Sequence, residues 1–306
     1  MTIAKNADRG VSGKKLRAKR SSKAQVRRFT RSRFGTFVYM VFICVMGLFS
    51  ILPLIYSIST SFKPLDELLI FPPRFFVHRP TADNYRVLPS LFSNLSVPLS
   101  RYVFNSLFIS TIATLAHVFI SSMAAFVLSK SKKRWCHTAF MIIQFSLMFN
   151  AYTLAVPRYL VYSGMGIINT YWVYILPAIP SALGVFLIKQ YMDSFVPDSL
   201  LEAAMIDGSG FASTYLRIVM PIIKPAWLTA ILFAFQSIWS TQYQGTIFSE
   251  SLKILPTVMG QITAGGIARS GSAMAVTVLL MIPPVLVYLI SQSNIVETMS
   301  SSGIKG

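Results

Sequence analysis

The chain has 306 residues, 54% of them hydrophobic and only 12% charged, about half the roughly 25% charged share of an ordinary soluble domain. That balance argues against a water-soluble globular fold. With 28 Lys and Arg against 10 Asp and Glu, the net charge of +18 is compatible on its own with a nucleic-acid binder, but the mean hydropathy of +0.59 points to a bilayer.

Residues 1–33 form a basic arm, expected to be disordered and cytoplasmic. No aromatic platform accompanies its basic run, so nucleic acid is not an expected partner. It is not read as a signal peptide, because the apolar run that follows is too long and lacks a small-residue cleavage pattern. Six charge-free runs come next: Phe34 to Phe62, Tyr102 to Ser129, Trp135 to Pro157, Tyr159 to Ile188, Ala226 to Ser249 and Ser270 to Val296. A spanning helix needs about 20 mostly apolar residues, so these predict an all-α membrane domain over residues 34–296. Its six transmembrane helices are expected near 34–62, 102–129, 135–157, 171–192, 222–246 and 272–293, followed by a tail at 297–306. Val87 to Ser100 and Ile254 to Ala268 are shorter, broken by Pro or Gly, and read as interfacial or re-entrant pieces. Cys44 and Cys136 fall at different depths and predict no disulfide.

With both termini cytoplasmic, 20 of the 28 basic residues lie inside, 12 of them in residues 1–34 and four in 130–134. This asymmetry is the one the positive-inside rule requires. The arm is also suited to anionic headgroups.

The cytoplasmic segment 189–224 holds four of the ten acids. Pro197 suits the first position of a helix and Asp198 complements its dipole. Gly208 supplies a left-handed stop, which predicts a helix from Pro197 to Asp207. Ser209 is expected to cap a second helix from Gly210 through Met220, and Pro221 and Pro225 to kink the entry to the fifth span. Ala203 and Ala204 leave room for close approach by another protein. Taken on its own, the segment also reads as an interfacial elbow.

Glu202-Ala203-Ala204, Gly208 and then Ile218-Val219-Met220-Pro221 resemble the EAA loop of ATP-binding-cassette (ABC) importer permeases, with Met220 where the family has Leu. EAAMIDG (Glu202 to Gly208) is similar to the sugar-importer version. STSFKPLDE (Ser59 to Glu67), TADNY (Thr81 to Tyr85), RYVFNSL (Arg101 to Leu107) and GIKG (Gly303 to Gly306) resemble the maltose-transporter type, specifically its Lys-Gly-tailed subunit. The resemblance implies a bacterial-type inner-membrane subunit whose EAA loop is a coupling helix seated in a cytoplasmic ATPase dimer. Glu202, Ala203, Ala204, Asp207, Gly208, Ile218 and Pro221 are then the coupling residues. The implied partners are a second homologous permease subunit, the ATPase and an extracytoplasmic sugar-binding protein, with the outer segments Lys63 to Arg101 and Thr241 to Gly271 to receive the last.

No G-x-x-x-x-G-K-[ST] loop occurs, so ATP is expected on a partner and this chain is expected to bind no cofactor. His78, His117 and His137 lack metal-ligand spacing, no catalytic constellation is present, and no enzyme activity is expected. Within the spans His117, Gln144, Asn150 and Gln236 are candidates for the pore, although interhelical hydrogen bonds account for such residues as readily. Arg158 fits either an acidic sugar or a headgroup, and Tyr152, Trp172, Tyr174 and Trp239 fit either sugar stacking or interfacial belts. An amino-acid or peptide permease is disfavoured by the IDG string, and an ion-coupled transporter by the absence of acids in the spans.

Overall fold

The computed structural model describes residues 33–93, 97–149, 153–241, 245–263, 266 and 269–302. The described residues are helical, with no strand. Two compact units divide the chain, Met1–Ile51 and Leu52–Gly306. The described part of the first belongs to helix α1 (Arg33–Ser61), whose side chains from 36 to 51 are all exposed. A helix that is apolar around its whole circumference is stable only in an apolar surrounding, so this segment reads as lipid- or partner-facing.

In the second unit the short helices α2 (Leu65–Leu68), α3 (Asp83–Arg86) and α4 (Leu88–Ser93) precede the central helix α5 (Leu99–Lys130). Then follow α6 (Arg134–Ser146), α7 (Ala155–Gly164), α8 (Trp172–Ile175), a 3-10 turn at Leu176–Ala178 and α9 (Ala182–Phe195). The chain continues through α10 (Asp198–Ile206), α11 (Phe211–Ser213), a π-helical stretch at Thr214–Val219 and α12 (Met220–Ile222) to α13 (Lys224–Ser240). It ends with α14 (Leu255–Thr263) and α15 (Ser270–Ser302).

Helix α5 is the hub, packed on α9 and α13, and α13 in turn packs on α15. Its buried face carries Ser106, Ser110, Ala113, Thr114, His117, Ser121 and Ala125. Small side chains at three- and four-residue spacing let neighbouring backbones come close, which is how helices associate in lipid, where apolar burial gives no driving force. At the C-terminal end of α5, Val118 and Phe126 pack with Ile188, Met192, Tyr215, Val219 and Ile223.

At the opposite end, polar bonds bind the segment 250–255 to α5. Asn105 Nδ2 donates to the carbonyls of Ser251 (2.9 Å) and Lys253 (3.0 Å), and its Oδ1 accepts from Tyr171 Oη at 3.0 Å. Ser106 Oγ accepts the Leu255 N–H at 2.8 Å, and Tyr102 Oη donates to Glu250 at 3.0 Å. The strap over residues 59–85 is tied in the same way. Lys63 Nζ donates to the Arg74 carbonyl at 2.5 Å, the Glu67 carboxylate accepts the N–H groups of His78 and Arg79 at 3.1 and 2.8 Å, and Asn84 Nδ2 donates to the Ser61 and Lys63 carbonyls at 2.9 and 2.8 Å.

Among the described residues four helical stretches are long and apolar enough to cross a membrane: Phe34–Ser61, Leu99–Lys130, Trp172–Phe195 and Ser270–Gln292. A fifth is a pair, Phe211–Ile222 and Lys224–Ser240, bent by 79°. The expected third span, 135–157, is instead two shorter helices, α6 and α7. The helix of the last span runs on to Ser302, beyond the expected boundary at 293. The arm at 1–32 and the GIKG end lie outside the described residues.

Candidate functional site

The segment expected to couple to a partner folds as a knob at the C-terminal end of α5. Pro197, with ψ of 146°, stands at the N-cap of α10 rather than inside it. The missing N–H costs nothing in either place, but the extended ψ at Pro197 means the helix begins at Asp198. Lys130 Nζ holds the knob to α5, contacting the Val196 carbonyl and bonding to the Asp198 carboxylate at 3.0 Å. The bonded ammonium keeps the Asp198 carboxyl below the usual carboxylate range.

Gly208 has φ of +78° and closes α10 in a Schellman turn, with the Ser209 N–H donating to Ala204 O at 2.9 Å and the Gly208 N–H to Met205 O at 3.1 Å. The second helix starts one residue later than expected, with Gly210 in extended conformation (ψ 163°) at its N-cap. Ser209 Oγ accepts from the Thr214 hydroxyl at 3.0 Å instead of capping a backbone N–H.

Pro221 has no N–H to give the Arg217 carbonyl, and the turn before it widens into the π-helical stretch. The chain then breaks at Ile223, where ψ is 15°. Beyond the break the Met220 carbonyl is satisfied by Trp227 Nε1 at 3.1 Å. The expected kink is thus a full elbow of 79°.

Glu202, Ala203 and Asp207 are exposed, whereas Ala204 is buried at 6% exposure, turned into its own chain. Of the two alanines only Ala203 offers a surface to another protein. Ile218 is half-buried and Pro221 exposed, both at the elbow rather than the tip. Two residues that sequence reasoning passed over complete the tip, Met205 and Ile206 at 64% and 86% exposure, and Phe211 just beyond the turn is 69% exposed although its ring packs on Phe126 at 4.9 Å. Large apolar side chains clustered at a rigid turn mark an interaction surface. Their signal in the sequence was apolar residues flanking a stop glycine, where solvent alone would select polar ones.

A second feature is an open cavity of about 1540 Å³ bordered by α5, α7, α9 and α13. His117, Arg158, Tyr162, Ser181, Ser237 and Thr246 are among its lining residues, and no carboxylate is among those described. His117 is 7% exposed, with Nδ1 2.9 Å from the Ala178 carbonyl. Gly184 on α9 faces it so closely that a Cβ there would stand 2.7 Å from His117 Nε2 and 3.0 Å from Ser121 Oγ.

Of the four pore candidates, His117 alone lines this cavity among the described residues. Gln144 and Gln236 are exposed and absent from the lining, and Asn150 lies outside the described residues, as does Tyr152. Tyr174 and Trp239 are core residues that bond through Oη to the Leu252 carbonyl and through Nε1 to the Leu280 carbonyl, so neither is free to stack on a ligand. Trp172 is 59% exposed. No cluster of His, Cys, Asp or Glu able to hold a metal occurs among the described residues.

No protein-family model matches the chain. In solved structures it resembles a chain of a bacterial ABC transporter involved in the import of the acidic polysaccharide alginate, with a TM-score of 0.71 and 22% identity over 86% of this chain and 98% of that one. The likeness is one of fold, a helical bundle with several helices long and apolar enough to cross a membrane.

The sequence comparisons narrow this further. The chain is 26% identical to the inner membrane ABC transporter permease protein YcjP of Escherichia coli, covering 90% of this chain and 98% of the relative. It is 27% identical to the polygalacturonan/rhamnogalacturonan transport system permease protein YtcP of Bacillus subtilis, covering 87% and 96%. To the sulfoquinovosyl glycerol transport system permease protein SmoH of Agrobacterium fabrum it is 28% identical, covering 88% and 93%. Its homologues are thus sugar-transport permeases of ABC importers, matched along almost their whole length.

Proposed function

We propose that this chain is one of two paired permease subunits of an ATP-driven importer for a sugar or oligosaccharide in a bacterial-type inner membrane. On this reading both termini are cytoplasmic and the chain crosses six times, with α6 and α7 together forming the third crossing and the bent pair around Ile223 the fifth. ATP is bound and hydrolysed by a cytoplasmic ATPase dimer, and an extracytoplasmic binding protein delivers the sugar. The chain itself carries out no catalysis.

The observation that carries the proposal is the coincidence of full-length similarity to sugar permeases with the knob of α10. That knob is short, closed by hydrogen bonds and anchored by Lys130, and its exposed tip combines Glu202, Ala203 and Asp207 with Met205 and Ile206. A rigid-body switch needs such a stiff lever seated in a partner, and the elbow at Ile223 passes its displacement directly into α13.

Gly208 provides the test. Nothing lies within 4 Å of where its Cβ would stand, so a side chain there meets only a partner, apart from backbone strain of about 1–2 kcal/mol at positive φ. Gly208→Glu is expected to abolish uptake in reconstituted vesicles while ATP hydrolysis persists and the chain still inserts. Gly208→Asn, which tolerates the left-handed conformation, retains transport. Normal uptake by Gly208→Glu would defeat the coupling assignment.

A narrower reading, an acidic carbohydrate, is favoured by one observation: Arg158 lines the cavity with no described carboxylate beside it. Arg158→Gln is then expected to slow uptake of a uronate oligosaccharide more than that of a neutral one.

A further inference from the structure

A second, smaller pocket of about 510 Å³ lies beside the knob, at the junction of α5 and α6. Its charged lining consists of Lys132, Lys133, Arg134 and Lys189, with His137 beside them, and its apolar lining includes Leu128 and Phe140.

The nearby acids are already engaged. Asp193 accepts from Lys189 at 2.6 Å and from Ser129 at 2.5 Å, and Asp198 accepts from Lys130 at 3.0 Å. Lys189 in turn lies 4.3 Å over the Phe140 ring. Lys132, Lys133 and Arg134 therefore have no ion-pair partner within 4.0 Å among the described residues, although Asp198 senses Lys132 through space. All three are exposed, and Trp135 next to them is 58% exposed, an aromatic of the kind enriched at headgroup depth.

Positive-inside topology explains why basic residues occur in this loop. It does not explain why they converge on one concavity with an apolar wall. A concave site that sets unbalanced cations at the end of α5 beside an apolar wall matches a phosphate headgroup followed by its acyl chains. We infer that the junction of α5 and α6 is a binding site for an anionic phospholipid, its phosphate held by Lys132, Lys133 and Arg134 and its glycerol-acyl region laid against Leu128 and Phe140. The site is independent of the transported solute and requires only that the chain be embedded in a bilayer. A lipid bound there touches the same short stretch that anchors the knob through Lys130, so its occupancy stiffens the base of the lever.

The test uses the full-length tagged chain with the subunits that co-purify, examined by native mass spectrometry with phosphatidylglycerol or phosphatidylcholine added. Phosphatidylglycerol is expected to be retained at least about tenfold more tightly, each basic residue near the surface contributing about fivefold. The triple variant Lys132→Gln, Lys133→Gln, Arg134→Gln is expected to lose that preference. Removing basic residues also perturbs membrane orientation, so Thr138→Glu serves as a second variant. It sets a carboxylate one turn from Arg134 without removing any Lys or Arg, and acids weigh little in orientation. The same loss is expected from it.

Equal retention of the two lipids, or an unchanged preference in Thr138→Glu, would overturn the inference. Displacement of the lipid by micromolar inorganic phosphate would reassign the pocket to free phosphate. Loss of a co-purifying subunit from either variant, with lipid preference intact, would reassign the cations to a protein contact. Either reassignment overturns the lipid site as well.

Discussion

Gly271→Ala removes no group and adds one methyl, yet it is expected to destabilise the protein. A Cβ at Gly271 would stand 2.5 Å from Asn84 Oδ1, 2.7 Å from Nδ2 and 2.8 Å from Cγ, too close for any of the three. Asn84 cannot simply swing aside, because its amide donates to the Ser61 and Lys63 carbonyls at 2.9 and 2.8 Å. Both of those residues are buried, at 0% and 3% exposure, so neither carbonyl is readily re-solvated. Displacing the amide forfeits two hydrogen bonds of about 1 kcal/mol each, and more where a buried carbonyl is left unpaired. The alanine returns up to about 1 kcal/mol of helix propensity. The net loss is about 1–3 kcal/mol, a fall of several degrees in melting temperature. The assay is thermal unfolding of the purified protein in detergent, with hydrogen exchange over residues 61–85 to localise the effect. Gly260→Ala, which enters open space, is the control and is expected to melt at or slightly above the parent temperature. If Gly271→Ala melts with that control, or exchange over the strap is unchanged, the reasoning from the Asn84 clamp is wrong.

Two further perturbations test the polar fastenings. Asn105→Ala leaves the Ser251 and Lys253 carbonyls and the Tyr171 hydroxyl without their partner at a fully buried position. It is expected to cost about 2–4 kcal/mol and to raise hydrogen exchange over residues 250–255, and parental exchange there would count against it. Glu67 is held ionised chiefly by the His78 N–H, with the Arg79 N–H adding to it against the opposing effect of burial, which places its pKa below the ordinary 4.5. Because the folded-state value is depressed, the stabilisation is complete above 4.5 and fades as pH falls through the lowered value. Exchange over residues 74–81 is therefore expected to be flat from pH 6 to 8 and to rise only in acid, and Glu67→Gln is expected to show raised exchange throughout. A transition near neutral pH would contradict this account.

The charge-free runs determined by themselves that the chain is an all-helical membrane protein, because a stretch without charge and long enough for a bilayer is a property of composition and length. The stop at Gly208 was legible for a similar reason: only a residue without Cβ readily takes φ of +78°. The motifs at Ser59–Glu67, Thr81–Tyr85 and Arg101–Leu107 could be recognised but not explained from the sequence. In the folded chain Lys63, Glu67 and Asn84 tie the strap, and Tyr102, Asn105 and Ser106 tie the segment 250–255.

Periodicity cannot reveal such bonds, since they join residues up to 149 positions apart. For the same reason tertiary structure alone decided which polar residues line the cavity. His117 and Arg158 both line it while Gln144 and Gln236 do not, and Trp239 is consumed by the Leu280 carbonyl. It also decided that Ala204 turns inward while Met205 and Ile206 face out. A one-dimensional pattern records which side chains are apolar or polar, but the direction each one faces depends on helix contacts that form only when distant parts of the chain come together.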